Sequence, residues 1–190
     1  MWKYCPSCAG AEIRFDGLHR YSCPACGFVF YQNTAAATGC VIRGKQGILL
    51  LVRGKEPARG KLDLPGGFVD PGEGALEGLV RELREEIGWV PEESPAGGTL
   101  GILPPGFTLF ASFPNTYPYR GTIYHTCDMF FALNAPELTD RDLRLQAGEI
   151  GGFRFVKPEE INMEDLAFDS TRRALGAYLA ISRPQPFQSR

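Results

Sequence analysis

Apolar and polar positions alternate along this chain with two different periods. Between residues 75 and 88, apolar residues recur every three or four positions and no proline interrupts them. This spacing predicts an amphipathic helix with one apolar stripe. The stripe consists of Leu76, Leu79, Val80, Leu83 and Ile87. The turn sequence Asp70-Pro71-Gly72 precedes it, so we expect the helix to begin after that turn.

Shorter apolar runs bounded by glycine, proline or polar residues predict strands. The main runs are residues 38–43, 48–53, 107–113, 122–133 and 149–156. The first two flank Gly-Lys-Gln-Gly and should form a hairpin. A last helix is expected from Asp169, as its N-cap, through Ile181. Strands that alternate only in part with helices predict an α/β fold with a mixed sheet between helices.

Composition limits the classes of protein that the chain can belong to. Its 190 residues with 44% hydrophobic content suffice for one domain of about 150 residues and a small module. The net charge of −2 does not favour nucleic acid or an anionic membrane as a partner. No apolar run approaches the ~20 residues that span a bilayer. The start of the chain lacks the apolar core of a secretory leader, so we expect a cytoplasmic protein.

Four of the six cysteines occur as two C-x2-C pairs separated by 14 residues: Cys5, Cys8, Cys23 and Cys26. This spacing predicts a closed, structural zinc site with four thiolates. Two disulfides or a redox pair are the alternatives. Residues 12–15 and 18–21 should be short strands of this module, which would depend on the metal to fold. Cys40 and Cys127 stand alone in apolar runs and are expected to be buried packing residues rather than nucleophiles.

Three glutamates lie together on one flank of the predicted helix. Glu82, Glu85 and Glu86 are spaced i, i+3 and i+4, so their carboxylates are close and repel one another. A hard divalent cation such as Mg²⁺ would neutralise this charge, and it also binds substrate phosphates. A solvated acidic face is the alternative, because glutamate is a good helix former.

The surrounding spacing resembles a known family motif. The segment reads Gly67-x5-Glu73-x7-Arg81-Glu82-Leu83-x-Glu85-Glu86-x-Gly88-Trp89. It is similar at every defined position to the Nudix box, G-x5-E-x7-R-E-U-x-E-E-x-G-U, in which U is bulky and apolar. So many fixed positions at set spacings make this motif far more specific than a short glycine pattern.

The resemblance implies a Nudix-type α/β/α sandwich and a hydrolase that cleaves a nucleoside diphosphate linked to another group. It implies that the carboxylates of Glu82, Glu85 and Glu86 and the carbonyl of Gly66 bind Mg²⁺ or Mn²⁺, and that one of these carboxylates serves as the base. Glu73 and Arg81 match a structural ion pair, and Gly67 and Gly88 match structural positions of the motif. A homodimer is implied by the family alone.

Glu149 is a candidate for a further metal ligand or base. Nudix enzymes often take one from outside the box, and the sequence Glu-Ile-x-x-Phe-x-Phe at residues 149–155 resembles the segment that supplies it. A surface glutamate is the alternative.

A zinc ribbon before a Nudix domain resembles the NADH pyrophosphatase branch, which carries a motif close to S-Q-P-W-P-F-P-x-S. Residues 112–118 keep the serine, two prolines and an aromatic residue of that motif but lack its glutamine, tryptophan and middle proline. Pro104 and Pro105 lie 15 and 16 residues after Trp89, where a proline accompanies ADP-ribose pyrophosphatases.

We therefore expect a small nucleotide substrate, an NAD(H)-like dinucleotide first and ADP-ribose or a nucleotide sugar second. A nucleotide-sensing module without enzymatic activity is the competing class. Candidate substrate contacts are Arg59 in the basic loop of residues 53–61 and the aromatic residues Phe113, Tyr117 and Tyr119. The expected division is a ribbon at residues 1–32, a Nudix domain at 33–183 and a flexible tail at 184–190.

Overall fold

A computed structural model describes residues 2–91 and 106–182. The described residues form two compact units, which meet in sequence between Thr34 and Ala35. The predicted flexible tail, Pro104 and Pro105 lie outside the described residues. No helix within the described part of the chain combines the length and apolarity that crossing a bilayer requires.

The first unit contains a small antiparallel sheet of order β1-β2-β3. Its strands are β1 (Arg14–Phe15), β2 (Arg20–Ser22) and β3 (Val29–Tyr31). The Asp16 carboxylate accepts hydrogen bonds from the amides of Leu18, His19 and Arg20 and so closes the turn between the first two strands. These hydrogen bonds lower the pKa of Asp16 to about 2, and the bond from the Arg20 amide has the largest effect.

The second unit is built around a six-stranded sheet of order β6-β5-β4-β8-β7, in which β9 also pairs with β5. The strands are β4 (Ala35–Gly44), β5 (Gly47–Arg53), β6 (Leu62–Asp63), β7 (Phe107–Tyr119), β8 (Thr122–Asn134) and β9 (Ile150–Val156). The helices are α1 (Ala75–Ile87) and α2 (Asp169–Ile181). Single 3-10 turns occur at Asp140–Asp142, Pro158–Glu160 and Met163–Asp165. The sheet is mixed, because β4 and β8 are parallel and the other pairs are antiparallel.

One helix covers each face of this sheet. Ile42 packs into one cluster with the apolar stripe of α1, whereas its neighbour Val41 packs into another cluster with Leu175 of α2. Successive strand residues point to opposite faces, so a strand between two helices is apolar throughout. This explains the continuous apolar runs in the sequence, and the predicted α/β/α sandwich with a mixed sheet is confirmed.

The sequence predicted that strand β7 ends at residue 113, but in the structure the strand continues to Tyr119. Pro114 pairs with Cys127 and Pro118 pairs with Ile123. The two prolines are four residues apart, so both nitrogens point to the same edge of the strand. β7 is the outermost strand of the sheet order. Its outer edge therefore has no neighbouring strand, and prolines, which lack an N–H, are tolerated there.

Candidate active site

Arg81 on helix α1 joins the helix to the loop that precedes it. Its Nε donates to Glu73 Oε1 at 2.8 Å and its Nη2 donates to Glu73 Oε2 at 3.0 Å. The same Nη2 donates to the carbonyl of Phe68 at 2.9 Å. The hydrogen bonds from Arg81 lower the pKa of Glu73. The loop is therefore held by a bidentate ion pair.

Arg81 also neutralises part of the acidic flank. Its Nη1 lies 2.9 Å from Glu82 Oε1 and 3.4 Å from Glu85 Oε2. Burial nevertheless raises the pKa of Glu82; the ion pair with Arg81 opposes this shift, and the charges of Glu85 and Glu149 add to it. An arginine thus supplies part of the positive charge that the sequence alone attributed to a divalent cation.

Glu86 is the most buried carboxylate of the box, with 8% of its surface exposed. Its Oε2 accepts a hydrogen bond from the Gly66 amide at 2.8 Å. Burial raises the pKa of Glu86 well above its usual value; the Gly66 bond opposes the shift, and the charges of Glu82, Asp63 and Glu149 add to it. A buried carboxylate held by one amide is costly to keep ionised and would gain most from a cation.

Gly66, just before the box, and Gly67, its first residue, bring the main chain against these carboxylates. A Cβ at Gly67 would lie 2.5 Å from Glu82 Oε1, and a Cβ at Gly66 would lie 2.2 Å from the Thr38 carbonyl oxygen. Gly66 also has a φ of +141°, which L side chains rarely adopt. Only glycine therefore fits at position 66, and the close approach leaves the main chain of Gly66 beside Glu86 and that of Gly67 beside Glu82.

Glu149 precedes β9 and lies near the box. Its carboxylate pairs with Lys55, and its carbonyl accepts a hydrogen bond from the Gly54 amide at 2.8 Å. Its charge helps to raise the pKa of both Glu82 and Glu86. The tertiary structure thus brings Glu149, which follows Glu86 by 63 positions in the sequence, close enough for its charge to act on Glu82 and Glu86.

This set of oxygen donors has the chemistry that Mg²⁺ and Mn²⁺ prefer. It comprises the carboxylates of Glu82, Glu85, Glu86 and Glu149 and the carbonyl of Gly66. The buried charge of Glu86 and the glycine cradle next to Glu82 both fit a cation at this place. Among the described residues, however, the only group of three or more candidate donors within 4.8 Å of one another is formed by cysteines.

Those cysteines are Cys5, Cys8, Cys23 and Cys26 in the first unit. The Cys5 and Cys26 sulfurs are 3.7 Å apart, and the Cys8 and Cys23 sulfurs are 3.8 Å apart. A tetrahedral zinc with Zn–S bonds of about 2.3 Å requires sulfurs about 3.8 Å apart. The cluster therefore fits a zinc ribbon.

The two cysteine pairs sit on turns of the same kind. The Cys5 and Cys23 carbonyls each accept a hydrogen bond from the amide four residues later, at Ala9 and Gly27. Both of those residues have a positive φ. The repeated turn aims both pairs of sulfurs at one point.

A cavity opens next to Gly66 and Gly67. Its volume is about 110 Å³, and it is open to solvent. Its lining includes Gly66 and Gly67, the aromatic residues Phe68, Tyr117 and Phe168, which we call its walls, and Ala37, Asn115, Thr126 and Asp128, which we call its floor. None of the box glutamates lines the cavity, but Gly66, which donates to Glu86, and Gly67, which lies against Glu82, do.

Arg53 holds the aromatic walls in place. Its guanidinium lies 4.8 Å from the ring centre of Phe168 and donates to the Tyr117 hydroxyl at 3.4 Å. It also pairs with Asp63 at 3.1 Å. Phe168, and not the predicted Asp169, occupies the N-cap position of α2. The Phe168 ring packs against Arg53 and Tyr117. Asp169 lies in the first turn of α2, where its negative charge interacts favourably with the helix dipole.

The four residues that the sequence predicted to contact substrate lie in different environments. Tyr117 lines the cavity. Phe113 packs against Phe130, with ring centres 6.3 Å apart. Tyr119 lies under the Arg120 guanidinium at 5.3 Å, and Arg59 is exposed in its loop.

Among the lining residues that sequence reasoning did not single out are Phe68, Thr126, Asp128 and Phe168. One signal was available. The segment Thr-Cys-Asp-Met-Phe-Phe at residues 126–131 places a carboxylate inside an apolar strand, two positions from a threonine and so on the same face. A polar pair on the buried face of a strand is rarely without a role.

Comparison with known proteins identifies the class to which this fold and site belong. The family profile described as the NUDIX domain matches residues 33–176. The chain therefore belongs to the Nudix family. A Nudix hydrolase structure from Nitrosomonas europaea is similar, with a TM-score of 0.62, 25% identity, and 95% of this chain and 92% of that one covered.

Two curated relatives match over shorter segments. An ADP-ribose pyrophosphatase from Methanocaldococcus jannaschii is 42% identical over 62 residues, which are 33% of this chain and 37% of that protein. A NAD-capped RNA hydrolase NudC from Chromobacterium violaceum is 38% identical over 88 residues, or 45% of this chain and 32% of that protein. The alignments thus span about a third of each relative's length.

Proposed function

We propose that the protein is a metal-dependent Nudix pyrophosphohydrolase that cleaves the diphosphate of a nucleotide-linked substrate, with an NAD(H)-like dinucleotide as the preferred substrate. The juxtaposition of buried Glu86 and the aromatic cavity beside Gly66 carries the proposal. A diphosphate at the acidic end would leave a ring of the same substrate within reach of the cavity. The relative named NAD-capped RNA hydrolase supports this substrate class.

In the proposed reaction, water attacks one phosphorus, a new P–O bond forms and the bridging P–O bond breaks. Glu82, Glu85, Glu86, Glu149 and the Gly66 carbonyl would hold Mg²⁺ or Mn²⁺. When bound, the metal neutralises the diphosphate, polarises phosphorus and lowers the pKa of water. One of the four carboxylates takes the proton from water. Arg81 keeps Glu82 and the loop of residues 68–73 in position.

A second depression supports a substrate with two rings. It shares Asn115 and Phe168 with the first cavity and is also lined by Pro57, Pro114 and Pro118. We assign the two neighbouring depressions to the two planar groups of a dinucleotide, whereas a nucleoside triphosphate has only one such group.

Incubating the pure protein with NADH and Mg²⁺ should release AMP and reduced nicotinamide mononucleotide, which chromatography separates. ADP-ribose is the second candidate substrate, favoured by the relative named ADP-ribose pyrophosphatase. Good turnover of ADP-ribose without turnover of NADH would assign the protein to that class. Tight binding of ADP-ribose without hydrolysis at any Mg²⁺ or Mn²⁺ concentration would instead identify a nucleotide-sensing module.

Glu149→Gln tests the carboxylate from outside the box. We expect kcat to fall at least 100-fold, because removing a metal-binding or proton-accepting charge costs several kcal/mol of transition-state stabilisation. The melting temperature should hardly change, since the ion pair with Lys55 is partly exposed and contributes at most about 1 kcal/mol. The matched control is Glu137→Gln, at an exposed loop glutamate. A kcat within about threefold of wild type would remove Glu149 from the site.

We further propose that the four cysteines bind one structural Zn²⁺ and that the protein works in the cytoplasm, where thiolates stay reduced. A homodimer is proposed from family membership, and sedimentation equilibrium of the full chain tests it.

A further inference from the structure

Two polar atoms in the floor of the cavity are buried without a hydrogen-bond partner among the described residues. They are Thr126 Oγ1 and Asp128 Oδ1. The two residues are 3% and 8% exposed, and both line the cavity. Buried polar atoms are nearly always paired in native proteins, so two such atoms at one cavity floor indicate a missing partner.

The other aspartate that lines this cavity, Asp63, has hydrogen-bond partners for both of its carboxylate oxygens, whereas Asp128 does not. Asp63 Oδ2 pairs with Arg53, and its Oδ1 accepts from the Thr171 hydroxyl at 2.8 Å and from the Leu64 amide at 3.0 Å. Asp128 uses only Oδ2, which accepts from the Ser170 hydroxyl at 2.6 Å. An unsatisfied buried acceptor costs about 1–3 kcal/mol, and more when it is charged. A ligand donor would recover this free energy.

The floor is open because small residues lie beside these strand positions. On β4, Ala35 is paired with Thr126, Ala37 with Asp128 and Gly39 with Phe130. Paired residues share a face of the sheet, so the alanines leave space next to the two polar side chains. The rings of Phe68, Tyr117 and Phe168 wall that space. The lining of this slot thus combines aromatic rings, against which a planar ring can pack, with a carboxylate that can meet the edge of such a ring.

An ionised carboxylate accepts hydrogen bonds and cannot donate them. The ring edge at Asp128 Oδ1 must therefore present N–H, because a carbonyl or carboxylate oxygen would face another oxygen. The Thr126 hydroxyl can donate or accept, so it tolerates either neighbour on the ring.

We propose that Asp128 is a specificity-determining residue whose Oδ1 accepts a hydrogen bond from an exocyclic amino or amide N–H of a planar ring, with Thr126 as a second contact. This inference rests on the proposed function. The N–H group is shared by two sources within one dinucleotide, the 6-amino group of adenine and the carboxamide of nicotinamide. The site selects against rings with oxygen at that position.

Binding of mononucleotides to the full-length protein, measured by calorimetry, tests the proposal without catalysis. AMP is compared with IMP, and nicotinamide mononucleotide with nicotinic acid mononucleotide. We expect one pair to differ at least about tenfold in Kd in favour of the N–H member, since hydrogen bonds to charged groups contribute about 1.5–3 kcal/mol. The pair that differs identifies which ring occupies the slot.

Asp128→Asn should reduce that ratio below about threefold or invert it, because the new amide can donate to a ring oxygen. Asp140→Asn, at an exposed aspartate, is the control and should keep the wild-type ratio. No discrimination by the wild-type protein in either pair, or an unchanged ratio in Asp128→Asn, would overturn the proposal.

Thr126→Val gives a second test that does not depend on the folding of Asp128→Asn. Removing an unpaired buried hydroxyl should leave the melting temperature unchanged or raised, while the affinity for the preferred mononucleotide falls about threefold or more. A lower melting temperature with unchanged affinity would show a structural role and overturn this contact.

Hydrolysis assays separate the two proposals. Discrimination between mononucleotides without hydrolysis contradicts the proposed function alone, and hydrolysis without discrimination contradicts only this inference.

Discussion

Replacing Glu86 with glutamine is expected to lower kcat for the preferred substrate at least about 1,000-fold, because a metal ligand stabilises the transition state by several kcal/mol. The fold should persist, since the glutamine carbonyl can still accept the hydrogen bond that Glu86 Oε2 takes from the Gly66 amide. Removing a buried charge should leave the free energy of unfolding of the metal-free protein unchanged or higher.

A second measurement on the same variant follows from linkage. Burial raises the pKa of Glu86 in the folded state, so folding takes up a proton near and above the usual glutamate pKa. The stability of the metal-free protein should therefore fall as the pH rises through that region. Glu86→Gln should reduce this dependence, which urea titrations at several pH values would measure.

Glu77→Gln is the matched control for Glu86→Gln. Glu77 lies on the same helix and also accepts a hydrogen bond from a main-chain amide, that of Gly74 at 2.6 Å, but it is not one of the box glutamates. We expect near-normal kcat and a small loss of stability from the weaker cap. If Glu86→Gln keeps more than a tenth of wild-type kcat, Glu86 does not bind an essential metal.

Replacing Cys23 with serine is expected to abolish zinc binding and unfold the first unit. Serine does not supply a thiolate, and structural zinc sites contribute about 10–16 kcal/mol of binding free energy that is also folding free energy. A unit of this size has few other buried side chains to stabilise it. Elemental analysis should give one zinc per wild-type chain and less than about 0.1 in the variant. Amide resonances of residues 5–31 should collapse to random-coil positions.

Cys127→Ser controls for the loss of a thiol, because Cys127 lies outside the four-cysteine cluster. Cys40 is buried as the sequence predicted, but the same prediction is wrong for Cys127, which is exposed. The Cys127→Ser variant should keep both the zinc and the amide dispersion. A dispersed spectrum of the first unit in Cys23→Ser would show that the metal is not what folds it. Zinc absent from the wild-type protein purified under reducing conditions would contradict the zinc assignment itself.

The features that the sequence determined are local ones. The stripe of α1, the box carboxylates and the two cysteine pairs each depend on residues within one or two turns of chain, so spacing alone reveals them. The ends of the hairpin at Gly44 and Gly47 were equally accessible, because turn residues mark them.

Tertiary structure decided which charges meet and where a ring can lie. The parallel pairing of β4 with β8 brings Ala37 beside Asp128, although 91 positions separate them in the sequence. No local pattern encodes such a pairing, since it depends on how whole strands share a buried sheet. The pairing of Lys55 with Glu149 and the continuation of β7 past Pro114 are likewise decided by neighbours in space, which spacing in the sequence does not specify.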